Sequence, residues 1–312
     1  MDLSKIVGIF EREFAIAYLV PTLIFAVELH LIGLAFGQAL IPFASGAFNE
    51  IIAASSFIVT VVVFSVVLMT FSPLIMRALQ GYVWQDYLES LALTRRFEDD
   101  YNFRFRAAVE FQAKVDEARR LGQEVPPFPD GHADRLDGAI TSYPDKTEFF
   151  LPFRIGNYLR AAEVYPRVVY GLDAIGSWQR LQTLISEELR GSISAARSQL
   201  FFAANVLVLT MIALAITIWL MMTTSQFSFP VLLGLGVVLY AARSLVFISG
   251  GAYGQVFAAA YDLHRTDLAD KLGLEIPRNA EAERRMWTEV NRVFLYRSPH
   301  AWDRLTRFRK KD

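Results

Sequence analysis

Glu28 and His30 are the residues of this sequence whose setting most calls for chemistry, since both fall inside an apolar run from Phe14 to about Phe36. Ionisable groups in a spanning helix are costly and mark ion routes, proton relays or buried partners. Two positions apart on a helix, their side chains point about 200° apart, so one pore cannot receive both from the same helix. Alternatively, the run enters the bilayer late and both groups sit near the outer interface, in contact with water. Asp262, His264 and Asp267 have a spacing that could hold a metal. The chain has only four histidines, however, and no second cluster joins them, so a solvated or salt-bridged helix surface is expected instead. His132-Ala133-Asp134 sits in a loop-like stretch. No nucleophile elbow supports a serine triad, and the glycines at 234, 236 and 251 belong to an apolar helix rather than to a phosphate loop. Cysteine is absent, which removes disulfides, thiolate metal sites and cysteine nucleophiles. No enzymatic activity, cofactor or metal is expected.

The elements around these residues point to a membrane. Hydrophobic residues make up 54% of the 312, yet charged residues still make up 20%, so the charges must be concentrated outside the apolar stretches. The net charge of −1 gives no general attraction to nucleic acid. A bilayer core of about 30 Å needs about 20 apolar helical residues. Four runs qualify: Phe14 to about Phe36, Ile51 to Met76, Leu200 to Met222, and Phe227 to about Ser249. The first run is too long, and follows too closely on Glu11-Arg12-Glu13, to read as a cleavable signal. None of the 31 Lys and Arg residues lies in the connections 37–50 or 223–226, whereas the segment 77–199 carries 16 and the part after Ser249 carries 12. The positive-inside rule then puts both termini and the central segment in the cytoplasm.

An all-α fold follows, with four transmembrane helices and a helical cytoplasmic domain. Residues 1–76 hold the first two spans, 77–199 the cytoplasmic domain, 200–249 the last two spans, and 250–312 the C-terminal helices and basic tail. Apolar residues from Trp84 to Ala118 recur three or four apart, which predicts a long amphipathic helix continuing the second span. Gly122 and Pro126-Pro127-Phe128-Pro129 end it, and 131–145 reads as loop. Shorter helices are expected around Ile155–Ala162 and Leu172–Ile185. The fourth span should run on to about Leu272, stopped by Gly273, with a last helix from Ala280 to about Leu295.

Several further residues are candidates for a role. Arg243 lies near the inner end of the fourth span, where it either snorkels to the headgroups or meets an intramembrane partner such as Glu28. Gly250 and Gly254 have a small-xxx-small spacing that permits close helix packing. Ser56 and Thr60 could line a pore together with Glu28. The aromatic run Phe149-Phe150 with Phe153 could dock a soluble partner. In the tail, Arg297, Arg304, Arg307, Arg309, Lys310 and Lys311 outnumber Asp303 and Asp312, which suits either anionic lipid or a solvated terminus.

Three stretches carry a resemblance: Leu151-Pro152-Phe153-Arg154-Ile155-Gly156-Asn157-Tyr158-Leu159-Arg160-Ala161-Ala162-Glu163, Tyr170-Gly171-Leu172-Asp173-Ala174 with Trp178, and Tyr261-Asp262-Leu263-His264-Arg265 with Asp267-Leu268. Together they resemble uncharacterised bacterial integral membrane proteins that carry LPxRLGNxLRAAE-like, YGxDAxxxWPRL-like and DLHRxDL-like runs. Phe153 replaces a small residue of that pattern and Gln179 its proline. The resemblance implies a cytoplasmic helical element that works with the fourth span, and no activity. The functional expectation is an oligomeric channel or pore whose cytoplasmic domain assembles or gates it. The alternative is a membrane-anchored scaffold that recruits a soluble cytoplasmic partner.

Overall fold

The computed structural model describes residues 12–38, 40, 47–84, 99, 114–115, 117–118, 120–124, 144 and 149–309. Among the described residues the regular structure is helical, and a single bridge between Leu274 and Arg309 stands where a strand could have formed. The helices are α1 (Val20–Phe36), preceded by a π-helical turn at Ala15–Leu19, α2 (Ala47–Gln80), α3 (Arg154–Tyr170), α4 (Ala174–Leu181), α5 (Glu187–Thr224), α6 (Phe229–Lys271), α7 (Ala280–Tyr296) and α8 (Pro299–Arg304). Among the described residues four stretches are long and apolar enough to cross a membrane: Arg12–Phe36, Ala54–Gln80, Glu187–Thr224 and Phe229–Lys271.

Local chemistry sets the ends of these helices. Pro230 sits in the first turn of α6, where a missing N–H costs nothing. Gly37 closes α1 at φ 64° and Gly273 follows α6 at φ 70°, a left-handed conformation that glycine adopts without strain. α5 begins well before its apolar run, with Glu187 and Glu188 in the first turn, where negative charge suits the helix dipole. At 43 residues α6 is about 64 Å long. That is more than twice the hydrocarbon thickness of about 30 Å, so much of it lies outside the core.

One expectation fails here. α2 does not continue into the segment from Trp84. It ends at Gln80, Gly81 turns the chain at φ 99°, and the Trp84 N–H closes a turn on the Gly81 carbonyl at 3.0 Å. Trp84, where the predicted amphipathic pattern starts, is 49% exposed. Further along, Val115 and Ala118 are buried. Phe105, Phe111 and most of the predicted amphipathic helix, the loop 131–145, and Lys310 and Lys311 lie outside the described residues.

The chain forms two compact units, residues 1–79 with 194–253 and residues 80–193 with 254–312. In the first, Ile32 and Phe36 of α1, Ala213 and Leu220 of α5, and Leu235 of α6 make a buried cluster. Phe25 of α1 stacks on Phe64 of α2 at 6.0 Å between ring centres. Tyr18 meets Phe201 and Glu28 meets Thr210, so α1 and α5 run in the same direction, as first and third spans must. In the second unit, Leu159, Leu172, Leu181, Leu268, Met286, Val290 and Leu305 are buried, and Tyr261 and Trp287 fully so.

Candidate functional site

Within the first unit a few polar side chains are sealed among apolar helices. Asn205 of α5 donates to the Ala17 carbonyl in the π-helical turn at 2.9 Å and accepts from Ser72 of α2 at 3.1 Å. One side chain thereby ties three elements together. Farther along the same helix, Thr210 donates to Glu28 Oε1 at 2.7 Å. Glu28 is only 7% exposed, and its Oε2 is buried with no hydrogen-bonding partner among the described residues. Glu28 lies eight residues short of the end of α1, about 12 Å along the helix. Thr22, Ser65 and Thr217, also buried, donate to carbonyls of their own helices four residues back. Such back-bonding satisfies the hydroxyl proton and leaves the oxygen able to accept.

The remaining membrane candidates are spread over the unit's surface. His30 is exposed, on the opposite side of α1 from Glu28, as their angular separation requires. Ser56 and Thr60 are exposed on α2, the Thr60 hydroxyl donating to the Ser56 carbonyl at 2.7 Å. Arg243 is exposed, with its guanidinium 5.4 Å from the Phe247 ring, and Glu28 is not its partner. Leu31, three residues after Glu28, is 55% exposed, whereas Ile32 is buried on the Glu28 side. The reason is helical phase: position i+4 lies closer in angle to i than position i+3 does. Asn205, Ser72 and Thr210 were not singled out in the sequence, although a polar residue in an otherwise apolar span is the signal that marks them.

The second unit has a more extensive polar network, centred on Asp262 of α6. Its carboxylate accepts from the Tyr165 hydroxyl at 3.0 Å and from the Tyr170 hydroxyl at 2.7 Å. Arg265 lies 4.1 Å above the Tyr170 ring and donates to the Asp262 carbonyl and to Glu283 of α7, which also accepts from the Trp287 indole. Burial first, then the hydrogen bond to Asp262, push both phenols above their ordinary value of 10.0. Tyr82, which donates to Glu163, is pushed up to about 12 by burial and then by the Glu163 charge. Asn157 holds the chain before α3 by accepting from the Leu151 N–H and donating to the Leu151 carbonyl. Asp173 caps α4 and donates its backbone N–H to the side-chain oxygen of Asn291 of α7, while Asn291 donates to the Gly171 carbonyl. Trp178 meets Phe257 in a tilted pair with ring centres 4.8 Å apart, and Ser177 pairs with Tyr261. The second and third of the sequence runs that carry the resemblance are therefore neighbours in space.

The other candidates of this unit divide. Phe150 is only 3% exposed and belongs to the core, so it is withdrawn as a docking residue. Phe149 is half-buried beneath the guanidinium groups of Arg160 and Arg167, which leaves Phe153 as the exposed member of the run. Gly250 is buried in the first unit, and Gly254 is buried in the second, where an added Cβ would lie 2.9 Å from the Ala162 Cβ. His264 and Asp267 pair with each other at 2.8 Å, while Asp262 faces the tyrosines. No metal-holding group of acids and histidines occurs among the described residues. The tail up to residue 309 is folded: Ala301 and Leu305 are buried, and Arg304 and Arg292 both pair with the buried Glu289 at 2.8 Å. Compared with protein-family models, curated proteins and solved structures, the chain matches none of them.

Proposed function

We propose that this non-enzymatic membrane protein works as a homo-oligomer in a bacterial cytoplasmic membrane. The oligomer forms a channel or pore that its helical second unit, in the cytoplasm, assembles or gates. The observation that supports this reading is the outward surface of α6. Gly234 and Gly236 are exposed with open space where a Cβ would stand, and Ala241 and Arg243 are exposed on the same span. Positions 236 and 243 are two turns apart and share a face, while 234 and 241 share the opposite one. A glycine in a helix costs about 1 kcal/mol relative to alanine, and small residues are useful in a bilayer chiefly where another helix approaches. An arginine there needs water or a partner. A second copy of the chain meets both needs. Glu28 is buried within the protomer, so the polar lining available between copies comes from Ser56 and Thr60 rather than from the carboxylate.

A scaffold that recruits a soluble partner is the second reading. It is favoured by the exposed Phe153 and by Ile175, which is 76% exposed. Native mass measurement of the protein in lipid nanodiscs tests the first reading. Particles of about four or more 35.3 kDa protomers are expected, and a single protomer under all lipid conditions would refute it. An oligomer that carries no ion flux in proteoliposomes would favour the scaffold.

A further inference from the structure

The carboxyl of Glu28 has an unusual inventory of partners. One oxygen accepts from Thr210, and the other is buried with nothing to meet among the described residues. A carboxylate accepts hydrogen bonds at about four lone-pair sites, so the ionised group would be left with one of them used. The neutral acid would fare little better, because an O–H on Oε2 would have no acceptor. Neither state is satisfied by the described residues alone, and a buried group of this kind gains from a mobile partner.

The charged groups of the surrounding elements offer no fixed counter-ion. On α1 and the turn before it, His30 is exposed and Glu13 accepts from Ser194. Positions 51–76 of α2 and 200–224 of α5 carry no charge, and Arg243 of α6 is exposed and lies against Phe247. A metal ion takes about six or more oxygen ligands, and one carboxyl with one hydroxyl falls well short of that. A proton needs no coordination shell.

We infer that Glu28 is a proton-exchanging carboxyl inside the first helical unit, acting within a single protomer. The proton arrives from water on Oε2, where one O–H bond forms, and leaves the same way, with no other bond made or broken. Thr210 is a positioning residue that holds Oε1. The inference is independent of the oligomeric reading and applies equally to a monomer.

The full-length protein, in vesicles of phosphatidylcholine and phosphatidylglycerol, is treated with the lipid-soluble reagent dicyclohexylcarbodiimide, which reacts with the neutral carboxylic acid. Adducts are mapped by mass spectrometry. The expected result is an adduct on Glu28 whose rate falls about tenfold per pH unit once the group is ionised, and no adduct at this position in Glu28→Gln. Thr210→Val should keep the adduct and move its pH profile, which distinguishes positioning from mere packing. No adduct in intact wild-type protein, or an adduct rate indifferent to pH, would overturn the inference. Protection by sodium at constant pH would also overturn it, in favour of a metal cation. These readings need only the wild-type protein, so a variant that fails to fold leaves the test standing.

Discussion

Replacing Asp262 with alanine should loosen the second helical unit by an amount that its geometry allows to be estimated. The carboxylate accepts two phenol hydrogen bonds, at 3.0 and 2.7 Å. Hydrogen bonds to charged groups contribute about 1.5–3 kcal/mol each when buried. Tyr165, Tyr170 and Asp262 are only partly buried, and the freed hydroxyls can turn to water, so about half of that sum, roughly 1.5–3 kcal/mol, is expected to be lost. For a unit of about 150–250 residues this corresponds to a fall of roughly 5–10 °C in Tm. The assay is thermal unfolding in detergent followed by tryptophan fluorescence, since Trp287 is buried beside this network. Asp262→Asn, which keeps one carbonyl acceptor, should lose about half as much. In a Tyr165→Phe, Tyr170→Phe background the further loss from Asp262→Ala should drop below about 1 kcal/mol, because the partners are already gone. An Asp262→Ala protein melting within about 1 °C of wild type would refute the assignment of this network as a main tie between α3 and α6.

The same phenols make stability sensitive to alkali. Tyr82, Tyr165 and Tyr170 hold their protons more tightly folded than unfolded, so their contribution is intact below pH 10 and lost as pH rises from 10 through about 12. Phenolate absorbance and a parallel unfolding series read this directly, and flat stability across that window would contradict it. Gly254→Ala forces a methyl to 2.9 Å from Ala162 and should cost about 1–3 kcal/mol, most of which Ala162→Gly should restore in the double variant. Asn157→Ala removes both hydrogen bonds to the Leu151 backbone from a fully buried site. Chemical denaturation should show a loss of about 2–3 kcal/mol. Reporter fusions at Gly46 and Ser225 should read as external, and those at Gly131 and after Asp312 as cytoplasmic. A cytoplasmic signal from Gly46 would reverse the orientation.

The four apolar helices were legible in the sequence because hydropathy is a local property. A run of about 20 apolar residues has few stable options besides a helix in lipid, and glycine at 273 stops α6 by the same local backbone preference wherever the helix happens to pack. The angular split between Glu28 and His30 was legible for a similar reason, since both sit on one helix of known period. What tertiary structure decided is which side of each helix is inside. No periodicity along α1 says that Thr210, 182 positions away, faces Glu28, or that Ile32 rather than Leu31 shares its protected side. Phe149, Phe150 and Phe153 look alike as a sequence, yet Phe150 enters the core, Phe149 lies under two arginines, and Phe153 stays exposed. Asp262 follows the same logic. As a sequence it is one acid beside a histidine, and its role depends on Tyr165 and Tyr170, brought to it from nearly a hundred residues away. Local chemistry determines the elements and their ends, whereas pairings between distant residues exist only once packing has chosen among faces that the sequence leaves nearly equivalent.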